Sequence, residues 1–150
     1  MTNQPPRGPT RVMKNLLFTI LGSAIILTAG CSTFHKTDTA SLQGTWKGTD
    51  TAHPNGTCSL TFSKNTLEFL ASERDDWAKG IFSLHEETTP KQLVGTILQA
   101  PDPKAVGLTI RAIYMLEGGT LTVAGNVPGN PDAPASFDAP GVRTLVLKKP

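Results

Sequence analysis

From Ser41 onward the chain alternates apolar and polar residues at a period of two. That pattern restricts it to half-buried β-strands, whose successive side chains point to opposite faces. Leu42 to Lys47 opens the series with Trp46. Cys58, Leu60 and Phe62 then alternate with Thr57, Ser59, Thr61 and Ser63, and Leu67, Phe69 and Ala71 with Thr66, Glu68 and Leu70. Gly80, Phe82 and Leu84 share one face of a strand from Trp77 to His85, and Leu93 and Ile97 mark Lys91 to Gln99. Ile110, Ala112, Tyr114 and Leu116 alternate along Leu108 to Leu116. Leu121 and Val123 follow a turn at Glu117–Thr120, and Leu145 and Leu147 mark a last strand from Arg143 to Lys149.

The intervening stretches carry turn chemistry. His53-Pro54-Asn55-Gly56 predicts a tight turn, because Asn-Gly accepts left-handed backbone angles. Lys64-Asn65, the charged Ser72–Asp76 and Glu86–Pro90 predict further reversals. Pro101 and Pro103 forbid regular pairing between them. Gly125 to Gly141 reads as a long irregular excursion whose one large apolar residue, Phe137, is expected to pin it to the core. About eight short strands without a long helix predict an all-β antiparallel fold, either a sandwich or an up-and-down barrel. A closed barrel would leave no free sheet edge.

Upstream of this pattern the chain changes character. Lys14 precedes an apolar stretch from Leu16 to Ala29, followed by Gly30-Cys31, and no charge occurs from Asn15 to Thr33. A short positive region, an apolar run and small residues before a cleavage point are the layout of a secretory signal. The run is shorter than the ~20 apolar residues a membrane-spanning helix requires. Leu27-Thr28-Ala29-Gly30-Cys31 resembles the bacterial lipobox, whose cysteine thiol receives diacylglycerol and which is followed by further acylation such as palmitate. The expectation is a signal peptide over 1–30, with Met13 as the true start. A lipidated Cys31 and flexible tether over 31–40 come next, and one β domain over 41–150. Ser32 lacks the acidic residue that retains lipoproteins in the inner membrane, so a Gram-negative host would place the protein on the periplasmic face of the outer membrane.

Charge follows from this processing. The whole chain carries +2, but Arg7, Arg11 and Lys14 lie in the signal, leaving 11 Lys and Arg against 12 Asp and Glu from Cys31 onward. A near-neutral domain without a basic stripe gives no case for nucleic acid. Of the two cysteines, Cys31 is assigned to lipid. Cys58 then has no partner in its own chain, and its alternation with Leu60 and Phe62 marks it as a small core residue.

No catalytic, metal or cofactor constellation is legible. His35, His53 and His85 lack the spacing of a zinc motif, and no Gly-x-Ser-x-Gly elbow or phosphate-cradling glycine loop occurs. The carboxylates at Glu73, Asp75 and Asp76, and at Glu86 and Glu87, fall in loops, where solvated charge is the expectation.

Taken in order, these segments resemble a family of uncharacterised lipocalin-like domains catalogued largely from Planctomycetes. The resemblance rests on Leu42-Gln43-Gly44-Thr45-Trp46, Gly80-Ile81-Phe82-Ser83-Leu84 with Pro90-Lys91, Ile113-Tyr114-Met115-Leu116-Glu117-Gly118-Gly119-Thr120-Leu121-Thr122, Pro134-Ala135-Ser136-Phe137 and Leu145-Val146-Leu147-Lys148-Lys149. Ala133 stands where the family usually carries Arg, and Gly119 where it carries Asp. The resemblance implies a lipocalin-like barrel of about eight strands, with Trp46 filling its base and its indole N–H seeking an acceptor. It implies no activity.

An eight-stranded barrel holds one small ligand or fills with side chains. Trp46, Leu60, Phe62, Phe69, Phe82, Ile97, Tyr114 and Leu121 are the candidate lining or core residues. The leading expectation is a non-enzymatic binding or interaction module, anchored to the membrane through Cys31 and taking a small apolar ligand, with any protein partner unknown. Two alternatives stand beside it. One is an enzyme acting at the barrel mouth on an envelope substrate. The other is an assembly factor using the Pro-rich 125–141 loop as its contact surface.

Overall fold

The computed structural model describes residues 37–150. One helical turn, α1 (Asp38–Leu42), leads into eight strands: β1 (Gly44–Asp50), β2 (His53–Ser63), β3 (Thr66–Leu70), β4 (Trp77–His85), β5 (Lys91–Gln99), β6 (Thr109–Glu117), β7 (Thr120–Gly125) and β8 (Arg143–Lys148). Each strand pairs antiparallel with its neighbour in sequence, and β8 returns to β1, closing the barrel. The signal peptide and the Cys31 lipid site lie outside the described residues. Where the expected flexible tether over 31–40 meets the β domain, Asp38–Leu42 is helical and Leu42 is buried.

Register explains the interior. Trp46 faces Leu60, Gly48 faces Cys58 and Leu147, and Leu84 faces Leu93. The apolar set of each strand therefore turns to the same side, as a period-two pattern demands when one face is buried. Trp46, Leu60, Phe62, Phe82, Leu93, Tyr114, Leu121 and Leu147 belong to one core, with Leu67 and Phe69 packed against it. Phe62 and Phe82 meet edge to face, with ring centroids 5.1 Å apart.

Two glycines are required by the closure. Gly44 takes φ +104°, which lets the chain swing from α1 into β1. A Cβ on Gly48 would lie 1.9 Å from the Val146 carbonyl oxygen, so only glycine lets β1 approach β8 where the barrel seals.

The first hairpin differs from expectation. Its tight turn is Thr51-Ala52, with Asp50 opposite His53, and residues 54–56 form an irregularity before Thr49 pairs with Thr57. Pro54, Asn55 and Gly56 thus disturb the register of a strand instead of forming the reversal. A second irregularity sets Lys79 opposite Gln99 but Gly80 opposite Ile97, and Leu98 stands exposed between them.

The excursion after β7 packs on the outside of the barrel. Ile113 and Ala124 point outward by parity yet are fully buried. They lie in register with each other, and Ala124 lies opposite Thr144. The Thr144 hydroxyl donates to the Phe137 carbonyl at 2.8 Å, which brings the excursion across this face. Phe137 is only half-buried and lies outside the barrel core, so its expected role as a pin falls instead to its backbone carbonyl, with Pro134 the buried residue nearby in the chain. All core residues fall between Leu42 and Leu147, within the compact unit Phe34–Pro150, which carries its own closed sheet and core.

Candidate functional site: a half-filled barrel with a polar-braced mouth

The two ends of the barrel are built differently. At one end α1 acts as a plug. The Trp46 indole donates to the Leu42 carbonyl at 2.7 Å, satisfying the expected need for an acceptor. The Lys149 ammonium sits 4.9 Å from the centre of the Trp46 ring and donates to the Ser41 carbonyl. Asp38 receives the Lys91 ammonium at 2.6 Å and the Tyr114 hydroxyl at 2.9 Å, while its own backbone N–H donates to Glu86. Burial opposes ionisation of Asp38, but the hydrogen bonds from Lys91 and Tyr114 outweigh it and hold the carboxyl below its ordinary value. Burial and the adjacent Asp38 push the Tyr114 phenol upward, so it remains a donor. Gln43 ties the plug to the β2–β3 turn by donating to the Lys64 carbonyl and accepting the Lys64 N–H.

The other end is open. A cavity of about 360 Å³ enters the barrel there, walled by Leu60, Leu67, Phe69, Ile97, Val123 and Leu145. Of the eight candidate residues, Leu60, Phe69 and Ile97 line it. Trp46, Phe62, Phe82, Tyr114 and Leu121 do not, and they fill the plugged half as core. Both outcomes foreseen for an eight-stranded barrel therefore occur in one molecule: packed at the base, hollow at the mouth.

The mouth carries a polar brace. Asp50 follows Trp46 and Gly48 on the inward face of β1, and its side chain is 1% exposed. Arg143 precedes Leu145 and Leu147 on the inward face of β8. Its Nε donates to both Asp50 oxygens at 3.0 and 3.1 Å, and its Nη2 reaches Asp50 and also Asp76, the latter at 2.6 Å. The guanidinium lies 4.7 Å from the centre of the Phe69 ring. Desolvation disfavours the charged guanidinium, but the two carboxylates more than offset it and raise its pKa further. The hydrogen bonds from Arg143 in turn hold Asp76 below the usual carboxylate range, helped by His53 at 3.2 Å.

This arrangement corrects the reading of two loop clusters. Asp76 is a partner of Arg143 rather than a solvated charge, and Glu86 accepts a backbone N–H from the plug. Asp50, His53 and Asp76 each place one ligand atom within 4.8 Å of the others. Arg143 already donates to both carboxylates, so a cation would have to displace it. Cys58 is buried, with its thiol pushed up to about 11 by burial and by the Asp50 charge, and it donates weakly to the Thr49 carbonyl. A thiol held protonated is a poor nucleophile.

The brace was missed because its members are far apart in sequence; Asp50 and Arg143 are separated by 93 positions. The signal was present nonetheless, since both residues sit at inward parity on strands whose other inward residues are apolar. Comparison of the chain with protein-family models, with curated proteins and with solved structures gives no match.

Proposed function

We propose that this protein is a lipid-anchored envelope binding module: a diacylglycerol thioether on Cys31 holds it to a membrane, and the open half of its barrel takes up a small apolar ligand. The cavity of about 360 Å³ carries the second part. Its size falls in the ~300–1,000 Å³ range of small-molecule sites, and its wall is apolar with a few convergent polar groups at one end. The likeness of Leu27–Cys31 to a lipobox supports the first part, and the resemblance to uncharacterised lipocalin-like domains agrees with a barrel able to hold a ligand. Ser32 favours the outer membrane in a Gram-negative host.

The polar groups at the mouth favour binding over catalysis. Asp50, Asp76 and Arg143 satisfy one another, leaving no poised acid or base among them.

Native mass spectrometry of the full-length protein, expressed and purified from its host's membranes, tests both parts together. The expected mass begins at an acylated Cys31 and includes a retained molecule released on unfolding. An N-terminus without acyl mass would overturn the anchor, and a barrel that neither retains nor accepts any apolar molecule would overturn the binding role.

A further inference from the structure

Resting on the reading of the open half as a binding cavity, we propose that its ligand is a cationic amphiphile, with an apolar tail inside the barrel and an ammonium-type head at the mouth. The tail follows from the wall of Leu60, Leu67, Phe69, Ile97, Val123 and Leu145. The head follows from charge. Among the described residues Arg143 is the one cation that lines the cavity, and its guanidinium is engaged by Asp50 and Asp76 and stacked on Phe69, so it is not free to pair with an incoming carboxylate or phosphate.

Asp75 and Asp102 also line the cavity, and neither has an ion-pair partner among the described residues. With Asp76, three carboxylates line the cavity against the one guanidinium of Arg143. An anionic head would enter a field of its own sign. A neutral head would gain nothing from it, and a cationic head would pair with carboxylates left open.

The aromatic lining adds a second attraction. Trp77, directly after Asp76, lines the cavity, and an indole face attracts an ammonium group, more so when both are partly desolvated. Exposed Leu98, Val106 and Leu108 belong to the same end of the barrel: Ile97 and Leu108 are joined by a backbone hydrogen bond, as are Gly107 and Ile97.

The test uses the barrel unit Phe34–Pro150, titrated at pH 7 with decylamine, 1-decanol and decanoate below their aggregation concentrations. Trp77 emission and calorimetry supply the readouts. Decylamine should bind about fivefold tighter than decanol, the scale of partly exposed ion pairing, and decanoate should bind weakest. The decylamine advantage should shrink in molar salt, and Asp75→Asn with Asp102→Asn should remove it. Decanoate binding as tightly as decylamine would overturn the proposal. Equal binding of all three would also overturn it while leaving the cavity's binding role standing. No response to any of the three would overturn both.

Discussion

Arg143 and Asp50, at the first position of β8 and the last of β1, are joined by an Nε hydrogen bond to each carboxylate oxygen, at 3.0 and 3.1 Å. The bond closes the seam between β8 and β1 at the open end of the barrel. The carboxylate is buried and the guanidinium is 33% exposed, so the two partners should respond unequally to removal. Arg143→Met leaves a buried, unpaired carboxylate and should cost about 3–5 kcal/mol of stability. Asp50→Leu leaves a guanidinium still paired with Asp76 and should cost less. The double variant should be more stable than Arg143→Met alone. Urea denaturation of the three variants measures the order.

The plug makes stability depend on acid. Asp38 has a folded pKa below its unfolded value, so its contribution is fully present above the ordinary carboxylate value of 3.8 and is lost as pH falls through the depressed one. Asp76 acts in the same sense. Unfolding free energies of the native chain should therefore fall steeply below about pH 4. Asp38→Asn should be less stable at neutral pH but should lose less on acidification. Parallel curves for the two proteins would contradict the assignment.

Tyr114→Phe removes the hydroxyl that donates to Asp38 while keeping the buried ring. A hydrogen bond to a charged group contributes roughly 1.5–3 kcal/mol, and the lower end applies here because Lys91 still serves the carboxylate. Thermal melts at neutral pH should show the loss. At a pH where Asp38 is protonated, the difference from the native protein should narrow.

Trp46→Ala opens the base of the barrel and frees the Leu42 carbonyl. The expected loss is about 3–5 kcal/mol, which would unfold much of a marginal domain. Trp46→Phe fills most of the space but cannot donate, so its loss should be smaller and should appear chiefly as faster hydrogen exchange in α1.

Cys58 should be inert toward aqueous disulfide reagents in the folded protein and should react at the rate of global opening. Its burial and upward-shifted pKa both oppose thiolate formation. Rapid labelling under native conditions would show that β2 opens locally.

The strands were legible because alternation, turn residues and closure all point the same way in a sheet with one buried face. Lys64-Asn65 and Gly118-Gly119 do turn the chain where the sequence says. The β1–β2 reversal was not legible, because Thr51-Ala52 carries no turn signature while the stronger signal at Asn55-Gly56 lies in the strand. The α1 plug left only a Thr37 cap before Asp38, too short a cue beside an extended-looking polar stretch. The candidate ligand wall divided in two for a reason alternation does not encode. Parity tells which residues face inward, but not how far along the axis the large ones stop.

The chain joins the barrel through α1, at the end opposite the opening. The axis of the barrel is therefore blind: Trp46 and α1 close the base, so anything that enters past Pro101, Asp102 and Pro128 must leave by the same route. An occupant bars the next arrival until it has departed.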